Sequence, residues 1–529
     1  MPSCGEVVVD LVERTGATTV FGIPGVHTLE LYRGLAGSSL RHVTPRHEQG
    51  AAFMADGWAR VTGRPGICML IGGPGLTNAL TPIAQAYHDS IPMLVLSGAV
   101  PACERDLGEI HDLPDQQALL SQVTAFSHTV TDPDELPEVF TRAEEVFSSQ
   151  RPRPVHIGLP VDVLKRSAAV PAWSAPAPSP PVADPQAVRR AAELLAGAQR
   201  PLVLLGGGAR DAGPAALALA RALAAPIGLT INARGAIADD DPLCLGSALS
   251  FEPVSDLLRR ADATVLAGAQ FSELELWGLG EPLELPNMVR IDIDADQLGR
   301  RWHPEVALHG DAAATLGSLA DALATVAPAA DSARLDAVAA EIAGARAALR
   351  APAEIARFAP MLEVLRRVLG GEAIIAGDST QPVYAANHLL PATRPRSWLM
   401  PIGYGCLGCA LPMAIGAKLA APDRPVLALA GDGGFQFTVQ ELATMRDLEA
   451  PVIALVYDNR GYGEIRDAMD GAGVEHLGTD GTTHDLVGIA AGYGVAGSRA
   501  TTLDALEQQL GDAVHARRPT VIEYAETSA

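Results

Sequence analysis

LALAGDGGFQF, residues 427–437, is apolar through Ala430 and then breaks into Gly431, Asp432, Gly433 and Gly434. An unbroken apolar run that stops at glycine reads as a buried strand of a parallel sheet, here closed by one carboxylate. FQFTVQELATMRDLEA (435–450) has helical periodicity, and PVIALVYDNRGYGEI (451–465) is a second strand ending in Asp458 and Asn459. In a right-handed strand–helix–strand crossover both strands end at the same edge of the sheet, so Asp432 and Asn459 converge there. Flanking glycines let a ligand approach the backbone and offer free N–H groups to phosphate oxygens. A carboxylate, an amide oxygen and a nearby main-chain carbonyl make a hard-oxygen site, which Mg²⁺ favours and completes with diphosphate oxygens and water.

The same strand–helix rhythm runs through the whole chain. The first third alternates TTVFGI, GICMLIG, IPMLVLSGA and PVHIGLP with helical patterns. VPAWSAPAPSPPVADP (170–185) is a Pro-, Ala- and Ser-rich linker. A second α/β block follows it, then an Ala-rich segment, DSARLDAVAAEIAGARAALRAPAEIARF, that reads as a helical connector to a third block. The expected fold class is α/β, with three doubly wound parallel-sheet domains at 1–170, 185–330 and 355–529. The first and third are alike in length and rhythm, without a residue-level repeat.

Of 529 residues, 48% are hydrophobic and 19% charged, the composition of a globular chain with ample core. The 39 basic and 62 acidic residues leave a net charge of −23, which argues against a nucleic-acid partner and weakly favours a cationic substrate. No apolar run reaches the ~20 residues of a bilayer span, and the acidic N-terminal segment is unlike a signal peptide. Six scattered cysteines fit a cytoplasmic protein; Cys406 and Cys409, a lone C-x-x-C, read as packing.

The Gly-Asp-Gly triplet and the Asn-ended strand one helix later resemble the signature of thiamine diphosphate-dependent enzymes. That resemblance implies Mg²⁺ ligation by Asp432 and Asn459 and by the carbonyl of Gly461, with Asp458 standing where many relatives have a second Asn. It also implies a carboxylate from the first domain. In TPRHEQGAAFMADGWARVTGRPG (44–66), Glu48 opens a helix. Alone it would be a first-turn Glu favoured by the helix dipole. FGIPGVH (21–27) before it and GGPGLTN (72–78) after it match the family in order and spacing, so Glu48 falls where the family's Glu bonds the cofactor's aminopyrimidine ring and sets its tautomer. Pro74 and Asn78 fall in the pyrimidine pocket. IGYGCLGCALPMAIGA (402–417) resembles the segment that holds the pyrimidine with main-chain groups, with Gly405 in the cofactor-binding set, and its Leu407 falls where the family puts a bulky apolar residue under the cofactor. AGDSTQPVYAAN (376–387) matches a diphosphate-anchoring turn through Ser379, Thr380 and Gln381, and Gly431, Gly433, Gly434, Tyr462 and Gly463 complete the cofactor-binding set. In this family the cofactor lies between the first domain of one subunit and the third of another, which implies a homodimer or homotetramer.

By the same resemblance Val26, His27 and Gln116 face the reacting carbon. Acetohydroxyacid synthases carry an arginine in a middle-domain segment whose counterpart here, QFSELEL (270–276), has Leu274, and a Met-containing segment where this chain has GYGEIRD. Glu464 falls near the substrate side chain, where a carboxylate suits a bidentate guanidinium; it is equally a solvated helix-start Glu. The wording of 19–35 and 41–66 resembles 5-guanidino-2-oxopentanoate (2-ketoarginine) decarboxylases. The implied activity is ThDP- and Mg²⁺-dependent decarboxylation of that small-molecule 2-oxo acid to 4-guanidinobutanal and CO₂. A carboligase of the acetolactate synthase type is the alternative, and a flavin-dependent oxidase or a non-catalytic subunit are further ones. LLGGGARDAG (204–213) does not complete G-x-G-x-x-G, because Asp211 takes the third glycine position.

Overall fold

The computed structural model describes residues 1–525 apart from 278, 280, 281, 482 and 483, so the last four residues of the expected 355–529 region lie outside the described chain. Among the described residues, eighteen strands form three six-stranded sheets, parallel throughout the pairings described. The first contains β1 (Thr19–Gly22), β2 (Arg41–Val43), β3 (Gly66–Leu70), β4 (Met93–Ala99), β5 (Phe126–Thr129) and β6 (Pro154–Pro160). The second has β7 (Pro201–Leu205), β8 (Ile227–Leu229), β9 (Cys244–Gly246), β10 (Ala263–Ala267), β11 (Met288–Asp292) and β12 (Val306–His309). The third has β13 (Ile374–Gly377), β14 (Trp398–Leu399), β15 (Val426–Gly431), β16 (Val452–Tyr457), β17 (Ala496–Ala500) and β18 (Thr520–Tyr524).

The first and third sheets share one strand order, β2-β1-β3-β4-β6-β5 and β14-β13-β15-β16-β18-β17. The order reverses between β1 and β3 in one and between β13 and β15 in the other. Crevices at the carboxyl ends of strands at such reversals are where α/β sheets bind ligands. The central sheet, β12-β11-β10-β7-β8-β9, reverses between β7 and β10.

Two compact units divide the chain. One holds residues 1–179, 374–380 and the described chain from Leu399 onward, and therefore the first sheet and all of the third but Trp398. One apolar core runs from Phe21, Phe53 and Met54 to Met413, Ile415 and Leu442, and a second lies within the first 179 residues, around Val8, Leu11, Leu94 and Phe140. The centre of the former is the crossing of the Glu48–Thr62 helix with the Ala410–Ala420 helix. A side chain at Gly57 would strike the Met413 carbonyl, and one at Gly416 the Met54 carbonyl, so the backbones touch at both glycines. A buried ion cluster braces the same unit. Arg60 binds Asp56 at 2.5 Å and Asp89 at 2.7 Å and donates to the Met400 carbonyl at 3.2 Å, while Asp89 accepts from Gly403 N at 2.8 Å.

The other unit holds residues 180–373 and 381–398 around its own core of Leu, Val, Ile and Ala. The Ala-rich connector is two helices, Ser332–Ala347 and Ala353–Ala356, because Pro352 cannot continue the first. Ile342 and Ala345 bury into this core, so the segment is packed into the unit as well as spanning it. The expected helix over 435–450 is likewise interrupted. A first turn spans Asp432–Phe435 and a second helix Glu441–Asp447, and between them Thr438 Oγ1 donates to the Gly408 carbonyl at 2.7 Å. The linker at 170–185 has no regular structure before Pro185.

Candidate active site

At the edge of the first sheet, β1 passes through Pro24 and Gly25 into the Val26–Thr28 turn. Thr28 closes that turn, accepting from Gly25 N at 3.2 Å and donating to the Gly25 carbonyl at 3.0 Å. Val26 is left 73% exposed and His27 half-buried. A Cβ on Gly98, in β4, would lie 2.9 Å from His27 Cβ. The imidazole of His111 stands edge-on to His27 at 5.1 Å, and Nδ1 of each ring is buried with no hydrogen-bond partner among the described residues. Burial, and then the neighbouring His111, push the His27 pKa down, with Glu109 opposing. The ring is therefore neutral at pH 7.

Gln116 opens the Gln116–Ser121 helix, whose N-cap Asp115 accepts from Ala118 N at 2.8 Å. Its amide nitrogen donates to Ser97 Oγ at 3.3 Å and to the Gly98 carbonyl at 3.4 Å, so Gln116 and His27 meet the same β4 residue. After β3 the chain makes the Pro74–Asn78 helix with Pro74 at its first position. Gly73 before it has φ +60, and a side chain there would meet the His111 backbone at 2.6 Å. Asn78 Nδ2 donates to Glu48 Oε2 at 3.0 Å, and a Cβ on Gly75 would lie 3.4 Å from Glu48 Oε1. Glu48 is the first residue of its helix, capped by His47 Nδ1 accepting from Gln49 N at 3.1 Å. The structure thus gathers Glu48, Pro74 and Asn78 in one place, and His27 with Gln116 beside Gly98 on the same edge.

The third sheet carries the oxygen-rich half. Asp432 follows β15 and is buried; burial and the carboxylate of Asp458 push its pKa up, while backbone N–H groups of Gly461, Gly433 and Asn459 oppose. The end of the Asn459 side chain lies 3.1 Å from Asp432 Oδ1 and 2.7 Å from the Gly461 carbonyl oxygen. With its amide nitrogen turned inward, Asn459 donates to both; with its oxygen turned inward, three oxygens converge and a cation is needed to hold them. One carboxylate, one amide and one carbonyl oxygen are a hard-ion donor set.

Around it side chains crowd against the glycines. A Cβ on Gly431 would come within 2.7 Å of Thr380 Oγ1, one on Gly433 within 2.8 Å of the Tyr462 ring, and one on Gly434 within 2.5 Å of Asp378 Oδ2. Leu407 is half-buried and near Gly434, Gly405 is exposed, and Ser379 Oγ is buried without a partner among the described residues. This combination of an orphan hydroxyl and converging oxygens fits a metal-bound diphosphate. Gly463 and Glu464 begin the Gly463–Ala472 helix just after Tyr462, so Glu464 belongs to this edge. Gln381 is buried at the start of the Gln381–Leu389 helix, in the other unit.

Three further residues emerge only from the coordinates. Asp378 is fully buried, pushed up to about 6 by burial, and accepts from Gly408 N at 2.8 Å and Ser379 N at 3.0 Å, tying the turn after β13 to the segment carrying Leu407. Its signal was the one Asp432 gives, an acidic residue just past an apolar strand. Glu441, pushed up to about 7 by burial, accepts from Arg46 N at 3.1 Å and Thr444 Oγ1 at 2.7 Å, so the third sheet's helix anchors the turn leading into Glu48. His111 had no local signal.

Comparison with known proteins agrees with this arrangement. The thiamine pyrophosphate enzyme N-terminal TPP-binding domain matches residues 2–119, the central domain 188–319 and the C-terminal TPP-binding domain 378–524. A probable 2-ketoarginine decarboxylase of Pseudomonas aeruginosa is 42% identical over 100% of this chain and 94% of its own length. A probable acetolactate synthase large subunit of Methanocaldococcus jannaschii is 30% identical over 98% of this chain and 91% of its own. The large subunit of Escherichia coli acetolactate synthase isozyme 1 is 32% identical over 87% and 82%. With half-sites at the reversals of two like-ordered sheets and matches over all three domains, the chain belongs to the thiamine pyrophosphate enzymes, with thiamine diphosphate as its cofactor.

Proposed function

We propose that this enzyme is a ThDP- and Mg²⁺-dependent decarboxylase of 5-guanidino-2-oxopentanoate, releasing 4-guanidinobutanal and CO₂. The end-to-end likeness to the Pseudomonas aeruginosa protein carries this reading. Leu274, half-buried where acetohydroxyacid synthases have arginine, weighs against acetolactate synthesis.

Asp432, Asn459 and the Gly461 carbonyl would hold Mg²⁺. Thr380, Ser379, Gln381 and the backbone at Gly431, Gly433, Gly434, Gly461 and Gly463 would receive the diphosphate, with Gly405, Leu407 and Tyr462 around the rings. Bound thiamine diphosphate supplies the electron sink that lets a 2-oxo acid lose CO₂. Glu48, oriented by Asn78, would hold a proton at the pyrimidine-ring nitrogen, and Pro74 would shape that pocket. His27, kept neutral by burial, is free to take or hand on a proton at Nδ1, while Val26 and Gln116 line the approach. Glu464 would pair with the guanidinium tail. Each chain carries both halves, and a homodimer or homotetramer would join first-sheet residues of one subunit to third-sheet residues of another. No described helix is long and apolar enough to cross a membrane, and all six cysteines are free thiols, which suits the cytoplasm.

The test is proton NMR of 2-ketoarginine incubated with the protein, ThDP and Mg²⁺, with pyruvate in parallel. The expected result is 4-guanidinobutanal, absent with Glu48→Gln. Acetolactate formed from pyruvate while 2-ketoarginine persists would overturn the assignment in favour of the carboligase.

A further inference from the structure

Behind Gln116 the first sheet contains a line of buried polar side chains. A parallel strand covered on both faces is ordinarily an apolar run; β6, Pro154–Pro160, instead contains His156 and Gly158. His156 is fully buried, and both ring nitrogens are engaged: Nε2 lies 2.8 Å from Ser97 Oγ on β4, and Nδ1 lies 2.7 Å from Ser127 Oγ on β5. The register explains the meeting. Ser127 pairs directly with His156, and Ser97 pairs with Gly158, two residues along the same face. A side chain at Gly158 would come within 2.9 Å of Gln116 Nε2, so that glycine clears the space the amide fills.

The hydrogen bonds have one consistent direction. The Gly98 carbonyl only accepts, so the Gln116 atom facing it and Ser97 Oγ is the amide nitrogen. Ser97 Oγ therefore accepts from Gln116, and its own hydrogen has one remaining partner among the described residues, His156 Nε2. Burial holds the imidazole neutral, pushing its pKa down to about 3. Its single N–H is then at Nδ1, donated to Ser127 Oγ.

We propose that His156 is a positioning residue for the reaction: acting through Ser97, it fixes the Gln116 amide with its nitrogen turned into the sheet and its oxygen toward Gly72. A Cβ on Gly72 would lie 3.5 Å from Gln116 Oε1, at the start of the loop that carries Pro74 and Asn78. A rotated amide would set its oxygen against the Gly98 carbonyl and present a donor where the fixed one presents an acceptor. This inference rests on the proposed reading of Gln116 as a residue facing the reacting atoms.

The test uses the full-length protein loaded with ThDP and Mg²⁺, turning over 2-ketoarginine. Ser97→Ala and His156→Leu are expected to lower kcat by about tenfold, the scale of one lost hydrogen bond, with KM little changed. His156→Gln, whose amide oxygen can accept from Ser97, is expected to recover most of the loss. In a Gln116→Ala background neither Ser97→Ala nor His156→Leu should have a further effect, because residues acting through one another are not additive. Nitrogen-15 NMR of the His156 ring supplies an activity-free readout, with the Nδ1–H tautomer expected. Full additivity in the Gln116→Ala background, or an Nε2–H tautomer, overturns the relay alone. Unchanged turnover in Gln116→Ala overturns the placement of Gln116 at the site, and the positioning role with it. Ser97→Ala removes a single oxygen and carries the test if His156→Leu does not fold.

Discussion

The carboxyl ends of β15 and β7 are built from similar parts, and their surroundings differ. Both strands are buried apolar runs that end in clustered glycines at a reversal of strand order. After β15, side chains at Gly431, Gly433 and Gly434 would meet Thr380 Oγ1, the Tyr462 ring and Asp378 Oδ2, all of them side-chain atoms. After β7, a side chain at Gly206 would strike the Gly268 carbonyl, because the loop following β10 already fills the crevice. Two nearby carboxylates there are paired. Glu275 accepts from Ile231 N at 2.7 Å and Ser272 N at 2.6 Å, and Asp211 is paired with Arg396 at 2.5 Å. Both clusters admit close approach by the chain's own atoms; what separates them is their company, with Ser379 Oγ beside the β15 cluster buried and without a hydrogen-bond partner among the described residues.

Four substitutions break or sharpen this contrast. Asp432→Ala should abolish Mg²⁺-dependent binding of thiamine diphosphate in isothermal titration, because the remaining oxygens carry no full charge. Next in size is a pH effect at the anchor of Glu48. Glu441 is raised in the folded state from 4.5 to about 7, so its contribution is fully present below its unfolded pKa and is lost as pH rises through about 7. Wild-type stability should fall relative to Glu441→Gln by on the order of 3 kcal/mol between pH 4 and pH 8 in urea titrations. Gly206→Ala should cost about 2 kcal/mol by overpacking, with thiamine diphosphate affinity unchanged; weakened coenzyme binding would refute the closed crevice. Smallest is Asp211→Gly, which restores a G-x-G-x-x-G pattern. It should cost about 0.5 kcal/mol through an exposed ion pair and bring no flavin absorbance to the purified protein.

How much of this was legible beforehand follows from how local each cause is. Asp432 and Asn459 could be paired because one helix joins their strands, and topology then dictates a shared edge. Glu48 was legible because its helix start is flanked by two motifs in fixed order. The interruption at 436–440 was not, since Thr438 is turned by Gly408, far away in sequence. Glu441 reads as one more helix residue until the Arg46 N–H is seen upon it. His156 shows as an oddity inside an apolar strand, and its direction of hydrogen bonding depends on Ser97 and Gln116 from separate segments. Local spacing carries the metal and cofactor groups; the groups that hold them steady are assembled from afar.

The paired contacts at Gly57 and Gly416 bear on how such a chain can be recombined. A chimaera taking its first 170 residues from one relative and its remainder from another joins two halves of that helix crossing with separate histories. If either contributes so much as an alanine at the contact, the helices must part by the width of a methyl group. Glu48, at the head of one of them, would move as well. Modular exchange within this chain is therefore limited less by its linker than by two missing methyl groups.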